Sequence, residues 1–188
     1  PATASLHPEN AGIAVNERGA IVVDKRLHTT ADNIWAMGDV TGGLQFTYIS
    51  LDDYRIVRDE LLGEGKRSTD DRKNVPYSVF MTPPLSRVGM TEEQARESGA
   101  DIQVVTLPVA AIPRARVMND TRGVLKAIVD NKTQRMLGAS LLCVDSHEMI
   151  NIVKMVMDAG LPYSILRDQI FTHPSMSESL NDLFSLVK

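Results

Sequence analysis

Near the end of the chain, Phe171-Thr172-His173-Pro174-Ser175-Met176-Ser177-Glu178 supplies an imidazole just before a proline and a carboxylate shortly after it. Proline suits the first position of a helix, where its missing amide would have no helical partner, so the spacing predicts a helix starting at Pro174 with His173 at its mouth. Glu178, about one and a half turns in, would then fold back and fix the tautomer of the ring. An oriented histidine–carboxylate pair of this kind is a general acid/base device. The same residues also suit a capped C-terminal helix with a surface histidine. A second acid, Asp39, follows Gly38 at the end of the apolar run Ile34-Trp35-Ala36-Met37. At the carboxyl end of a buried strand, an aspartate can accept hydrogen bonds from ligand hydroxyls in the crevice outside an α/β sheet. The glycine before it lets backbone approach such a ligand closely. The start of the next helix, near Thr47-Tyr48, offers amides and a positive dipole end to an anion. Taken alone, Gly38-Asp39 is a turn with an acid in it.

Other candidates carry less. His147-Glu148 stands near Met149, Met155 and Met157, but methionine mostly fills core space and adjacent helical residues cannot both face one ligand. The single cysteine, Cys143, lies in an apolar run and is expected to be inert. His7 and His28 read as surface residues, and Arg114 and Arg116 lie on a connector without interleaved aromatics. The sequence contains no Gly-x-Gly-x-x-Gly fingerprint, no Walker-type loop and no cysteine pair.

The 188 residues are 43% hydrophobic and 23% charged, the composition of a globular protein large enough to bury a core. A net charge of -4 gives no electrostatic reason to expect nucleic acid or an anionic membrane as partner. No apolar run has the length of a membrane span, and the cytoplasm is the default compartment. One cysteine excludes an internal disulfide framework.

The elements that must position these residues follow from periodicity. Ile13-Ala14-Val15 and Ala20-Ile21-Val22-Val23 read as extended pieces around a turn at Asn16-Glu17-Arg18-Gly19. Ile34 to Met37 reads as a short buried strand. An amphipathic helix spans Thr47 to Leu62, with Ile49, Ile56, Val57, Leu61 and Leu62 on its apolar face. Residues 63–74, polar and glycine-containing, read as a linker between a first domain at 1–62 and a second at 75–188. In the second, strands are expected at Tyr77–Met81, Leu85–Met90 and Ile102–Val109, and a hairpin at Arg122–Asp130 and Met136–Val144 turning at Asn131-Lys132-Thr133-Gln134. Thr91 opens a helix as a capping box with Gln94, and Asp145 with Glu148 promises another, running to about Ala159. That second helix is apolar around more than one stripe and is expected at or beside a two-fold interface.

Several of these motifs resemble one family. His-Pro-Ser-Met-Ser-Glu is similar to the His-Pro-Thr-x-x-Glu ending of the pyridine nucleotide–disulfide oxidoreductases, with Ser175 where threonine is usual. Thr29 to Val40, ending Ile-Trp-Ala-Met-Gly-Asp-Val, resembles their second flavin motif. Val79-Phe80-Met81-Thr82-Pro83-Pro84 followed by Val88-Gly89-Met90-Thr91-Glu92-Glu93-Gln94-Ala95 resembles the opening of their dimerisation domain. Pro1-Ala2-Thr3 is similar to the Pro-Asn-Thr that closes their nicotinamide-binding domain. Thr47-Tyr48 stands where Thr-Pro is frequent, and Leu44-Gln45-Phe46 is bulkier than usual.

The resemblance implies an α+β dimerisation domain, an antiparallel sheet with packed helices, preceded by the remnant of an α/β FAD-binding domain. It implies an enzyme that passes electrons from NAD(P)H through FAD and a cysteine pair, absent from this chain, to an oxidised acceptor. His173 and Glu178 would be its acid/base pair, acting on the partner subunit of a homodimer; Gly38, Asp39, Phe46 and Thr47 would hold FAD. The vicinal cysteines that usually end mercuric reductases are missing. The closing Leu180-Asn181-Asp182-Leu183-Phe184 resembles the bacterial reactive-chlorine-resistance branch, linked with oxidant defence and cupric-ion reduction. The acceptor would be a small oxidised molecule or metal ion. The fragment alone is expected to retain FAD weakly or not at all, and could be a catalytically inactive dimerisation module.

Overall fold

A computed structural model describes residues 1–188. The chain divides into two compact units, Pro1–Lys73 and Asn74–Lys188.

The first unit is built from turns around one long helix. The expected turn forms: the Asn16 side chain accepts the amides of Arg18 (2.9 Å) and Ala20 (3.0 Å), and Val15 pairs with Ile21 across it. The pieces on either side do not extend into strands, however. The run Ile34–Met37 is likewise not a strand but a single bridge from Trp35 to His28, flanked by the Thr29 amide donating to Ile34 O at 2.9 Å and the Ala36 amide donating to Leu27 O at 3.1 Å. Helix α1, Thr47–Leu62, buries Ile49, Asp53, Ile56 and Val57 on one face, the spacing of a helix lying against a core. Leu61 and Leu62, expected on that face, are exposed, since the small cluster of Leu27, Ile56 and Val57 ends a turn before them. Residues 63–73 fold back on the unit. The amides of Lys66 (2.7 Å) and Arg67 (2.9 Å) donate to the Asp59 carboxylate, and Thr69 N–H donates to Lys25 O at 2.9 Å. These contacts hold the Asp59 carboxyl below the usual carboxylate range, the Arg67 amide contributing most.

The second unit is a five-stranded, wholly antiparallel sheet with helices packed on it. Its elements are β1 (Tyr77–Val79), β2 (Leu85–Gly89), α2 (Glu92–Glu97), β3 (Ile102–Pro108), α3 (Pro113–Val117), β4 (Val124–Asp130), β5 (Met136–Leu142), α4 (Ser146–Asp158), α5 (Ser164–Arg167) and α6 (Ser179–Ser185). Strand order is β1-β2-β5-β4-β3. Alternation along β4 and β5 turns Leu125, Ala127, Ala139 and Leu141 toward one continuous core. Onto it pack Met149, Ile150 and Val153 of α4 and Leu180, Leu183 and Phe184 of α6. At the β2–β5 end, a Cβ on Gly138 would collide with the carbonyl oxygen of Met90, so only glycine lets these backbones meet.

The Thr91–Gln94 capping box is formed in both directions, at 2.9 and 3.1 Å. The one expected at Asp145 is not. Asp145 takes a left-handed conformation (φ 61°) and makes no side-chain cap; its carbonyl accepts the amides of Glu148 and Met149 instead. The apolar set of helix α4 is buried (Met149, Ile150, Val153, Val156) or packed partly buried on the core (Ile152, Met157), while Met155 is 70% exposed. The last helix starts at Ser179 rather than Pro174.

Candidate functional site

The His173 segment is a loop pinned from both sides. Before it, Asn181 of α6 donates its side-chain amide to the carbonyls of Leu166 (2.8 Å), Arg167 (3.0 Å) and Gln169 (3.0 Å), which ties the end of α5 to α6. Phe171 packs partly buried on the core, and Met176 is buried in it. Between these anchors the chain bows outward, so the His173 side chain is 72% exposed while Glu178 is only 17% exposed.

Glu178 uses both oxygens. One lies 2.8 Å from His173 Nδ1, and the other accepts the Ser175 amide at 3.2 Å. Ser175 Oγ in turn accepts the Glu178 amide at 3.2 Å. Ser175-x-x-Glu178 is thus a reciprocal capping arrangement just ahead of α6. It explains why Pro174 lies outside the helix and why Glu178 precedes it instead of sitting inside. The spacing is readable as Ser-x-x-Glu, but Pro174, directly after His173, points to a helix start earlier than the one observed at Ser179. A carboxylate only accepts hydrogen bonds, so the bond to Nδ1 places the ring proton there and leaves Nε2 as the basic nitrogen. That nitrogen belongs to a ring held by Glu178 and turned outward, the arrangement a proton-transfer group needs.

The second predicted set gathers in the first unit. Gly38 and Asp39 begin a short 3-10 turn, Gly38–Thr41, closed by the Thr41 hydroxyl donating to Gly38 O at 2.9 Å. Gly38 has φ +75°, and a Cβ there would stand 2.8 Å from Ser50 Oγ of α1, so the turn is pressed against the helix. Asp39 is exposed. Phe46 precedes the first turn of α1 and Thr47 opens it; no side chain caps that end. The Phe46 and Tyr48 rings stack at 5.0 Å, and burial raises the Tyr48 phenol pKa. An exposed carboxylate beside an uncapped helix start suits a ligand that carries hydroxyl donors and an electron-rich edge. The structure brings Gly38 and Asp39 together with α1, and His173 with Glu178; the two sets lie in different units.

Two residues escaped the sequence reading. Asp53 is buried at 2% exposure within the apolar face of α1, and its partner is Arg72, from the segment read as linker. His28 is not a bare surface residue either: its Nε2 lies 3.2 Å from Glu60 and its ring packs 4.7 Å from Trp35. Cys143 is fully buried, and desolvation with the nearby Asp145 charge pushes its thiol up to about 12. His147 faces Phe80, and no group of metal-ligating side chains forms anywhere in the chain. No helix is long and apolar enough to cross a membrane.

The family model for the pyridine nucleotide-disulphide oxidoreductase dimerisation domain matches residues 75–184, and a second model of pyridine nucleotide-disulphide oxidoreductases matches residues 1–53. The chain belongs to the pyridine nucleotide–disulphide oxidoreductases. The mercuric reductase of Staphylococcus aureus is 36% identical over 180 residues, 96% of this chain and 33% of that protein. A dihydrolipoyl dehydrogenase of Mycobacterium tuberculosis is 31% identical over 176 residues, 94% of this chain and 38% of that protein. Among solved structures, a Cu(II) complex of the HOCl-induced flavoprotein disulfide reductase RclA from Escherichia coli superposes with a TM-score of 0.99 at 99% identity, covering all of this chain and 44% of that one. The chain spans about a third of the length of the curated relatives it matches. In these oxidoreductases the antiparallel second unit is the dimerisation domain, and the α+β reading of the sequence holds.

Proposed function

We propose that the chain is the part of a flavin-dependent disulfide reductase that supplies the acid/base pair and one wall of the flavin site. The pair is His173 and Glu178, and the observation that carries the reading is the 2.8 Å contact between Nδ1 and the Glu178 carboxylate on an otherwise exposed ring. FAD, when bound, carries two electrons from NAD(P)H to a cysteine pair that lies outside this chain. Asp39 would accept hydrogen bonds from the ribityl hydroxyls, Gly38 would let the backbone come near, and Phe46 and Thr47 would border the flavin at the start of α1. His173 Nε2 would take the proton of the interchange thiol as its thiolate forms and return it when the reduced pair is regenerated. A neighbouring imidazolium also favours the thiolate.

His173 would serve the partner subunit of a homodimer. The match to a dimerisation domain and the outward direction of the ring support this. The acceptor would be a small oxidised molecule or metal ion met in oxidant or copper stress, supported by the HOCl-induced relative and its copper complex. Complementation tests the cross-subunit role. His173→Ala subunits mixed with subunits lacking the redox cysteines should recover about a quarter to half of parent activity, because each hybrid assembles one intact site. Hybrids as inactive as either variant would contradict it.

A second reading is favoured by Cys143. The one thiol is buried and has no second cysteine in the chain to pair with, so the chain by itself cannot run dithiol chemistry and would act only as a dimerisation module. NADH and FAD added to the purified chain should give no turnover, and FAD should separate from it on gel filtration. Stoichiometric yellow protein would show that Asp39 and the Thr47 region suffice to hold flavin.

A further inference from the structure

Asp53 is a carboxylate buried on a helix face that is otherwise apolar. A charge so placed is costly unless it is paired and hydrogen-bonded. Here it is both: Oδ2 accepts the Gly38 amide at 2.7 Å, and Oδ1 pairs with the Arg72 guanidinium. Arg72 is itself held, its Nε donating to Asp52 at 2.8 Å, and Arg67 reaches the other oxygen of Asp52 at 2.9 Å. Burial opposes the Arg72 charge, but its bonds to Asp52 and Asp53 outweigh this and raise its pKa. An apolar side chain at 53 would pack α1 at least as well. What the carboxylate adds is direction, because it grips the amide of Gly38, one residue before Asp39.

We propose that Asp53, clamped by Arg72, is a positioning residue that fixes the Gly38-Asp39 turn on α1 and so aims the Asp39 carboxylate at flavin. This rests on the reading of Asp39 as a flavin residue. The two partners of Asp53 have separable roles. The Gly38 amide needs only an acceptor, which asparagine also offers. The Arg72 guanidinium needs the charge. FAD affinity should therefore follow the acceptor, whereas thermal stability should follow the charge.

The test measures FAD dissociation constants and melting temperatures of the full-length flavoenzyme and its variants. Asp53→Ala should weaken FAD binding about tenfold, the worth of one hydrogen bond to a charged group. Asp53→Asn should stay within about threefold of the parent, yet melt nearly as early as Asp53→Ala. Arg72→Gln should also melt early with FAD affinity within about threefold, and Asp53→Leu, apolar and without an acceptor, should weaken FAD binding about tenfold and decides the matter if Asp53→Ala does not fold. Affinity that merely tracks melting temperature across the set, or an unchanged affinity in folded Asp53→Ala, overturns the proposal. So does a folded Arg72→Gln that binds FAD as poorly as Asp39→Ala. If Asp39→Ala itself binds FAD like the parent, the flavin reading of the turn fails and the proposal with it. If Asp39→Ala loses FAD while Asp53→Ala does not, only the positioning role fails.

Discussion

The two units are held together by different physics. In Asn74–Lys188 a five-stranded ladder and a continuous apolar core of strand and helix residues do the work. In Pro1–Lys73 the apolar cluster is three buried residues with Val23 and Trp35 against them, and order comes from turns and carboxylate contacts such as Asp59 with Lys66 and Arg67, and Asp53 with Arg72. Burial is non-directional and spread over many contacts, whereas charge pairs are directional and depend on both members. The candidate acid/base histidine is thus carried on an apolar scaffold, and the candidate flavin turn on a polar lattice that can be loosened at single residues.

The largest expected effect concerns Cys143, a reporter of the second core. With the thiol pushed from 9.0 to about 12, its thiolate fraction near pH 8 falls about a thousandfold. Iodoacetamide should label it only as the second unit unfolds; rapid labelling of the folded protein would show that this core is open. Next, Phe184→Ala removes a fully buried ring from the same core and should cost about 3–5 kcal/mol in denaturant unfolding. A loss below about 1 kcal/mol would mean the core is not cooperative. In the first unit Arg72→Ala should cost about 2 kcal/mol, since Asp53 is left buried without its cation. Unlike Phe184→Ala, it should lower the resistance of residues 1–73 to proteolysis and leave 74–188 protected. Uniform loss across both units would break the contrast. The smallest effect is that of Thr91→Ala, which deletes the formed cap of α2 and should cost about 1 kcal/mol.

The same contrast governs what could be read from the sequence. In the second unit, period-two apolar runs and the Thr91 capping box announce strands and helix almost residue by residue, because burial on one face leaves a periodic trace. The Asp145 box failed because a left-handed residue caps by its carbonyl, which side-chain types do not reveal. In the first unit the helix Thr47–Leu62 was legible, but the short apolar runs near Val15 and Trp35 were not, since a strand needs neighbours that periodicity cannot supply. At the site, His173 and Glu178 were legible as a pair. The Asn181 and Met176 anchors that present them were not, nor was the tie from Asp53 to Gly38 and Arg72. Each of these joins residues far apart in sequence or uses a side chain whose type suits many roles.

The central claim, that His173 is the proton-transfer group and Glu178 its orienting carboxylate, is tested most directly by separating the half-reactions of the full-length enzyme. In rapid-mixing experiments on His173→Ala, reduction of flavin by the nicotinamide should stay within about threefold of the parent. Thiol-dependent turnover should fall about a hundredfold or more, the usual worth of a positioned acid/base group. Glu178→Gln should fall in the same step by a smaller factor, because an amide can still hold the ring but no longer favours its charged form. Equal loss of both half-reactions in His173→Ala, or full thiol-dependent turnover without the imidazole, would contradict the assignment.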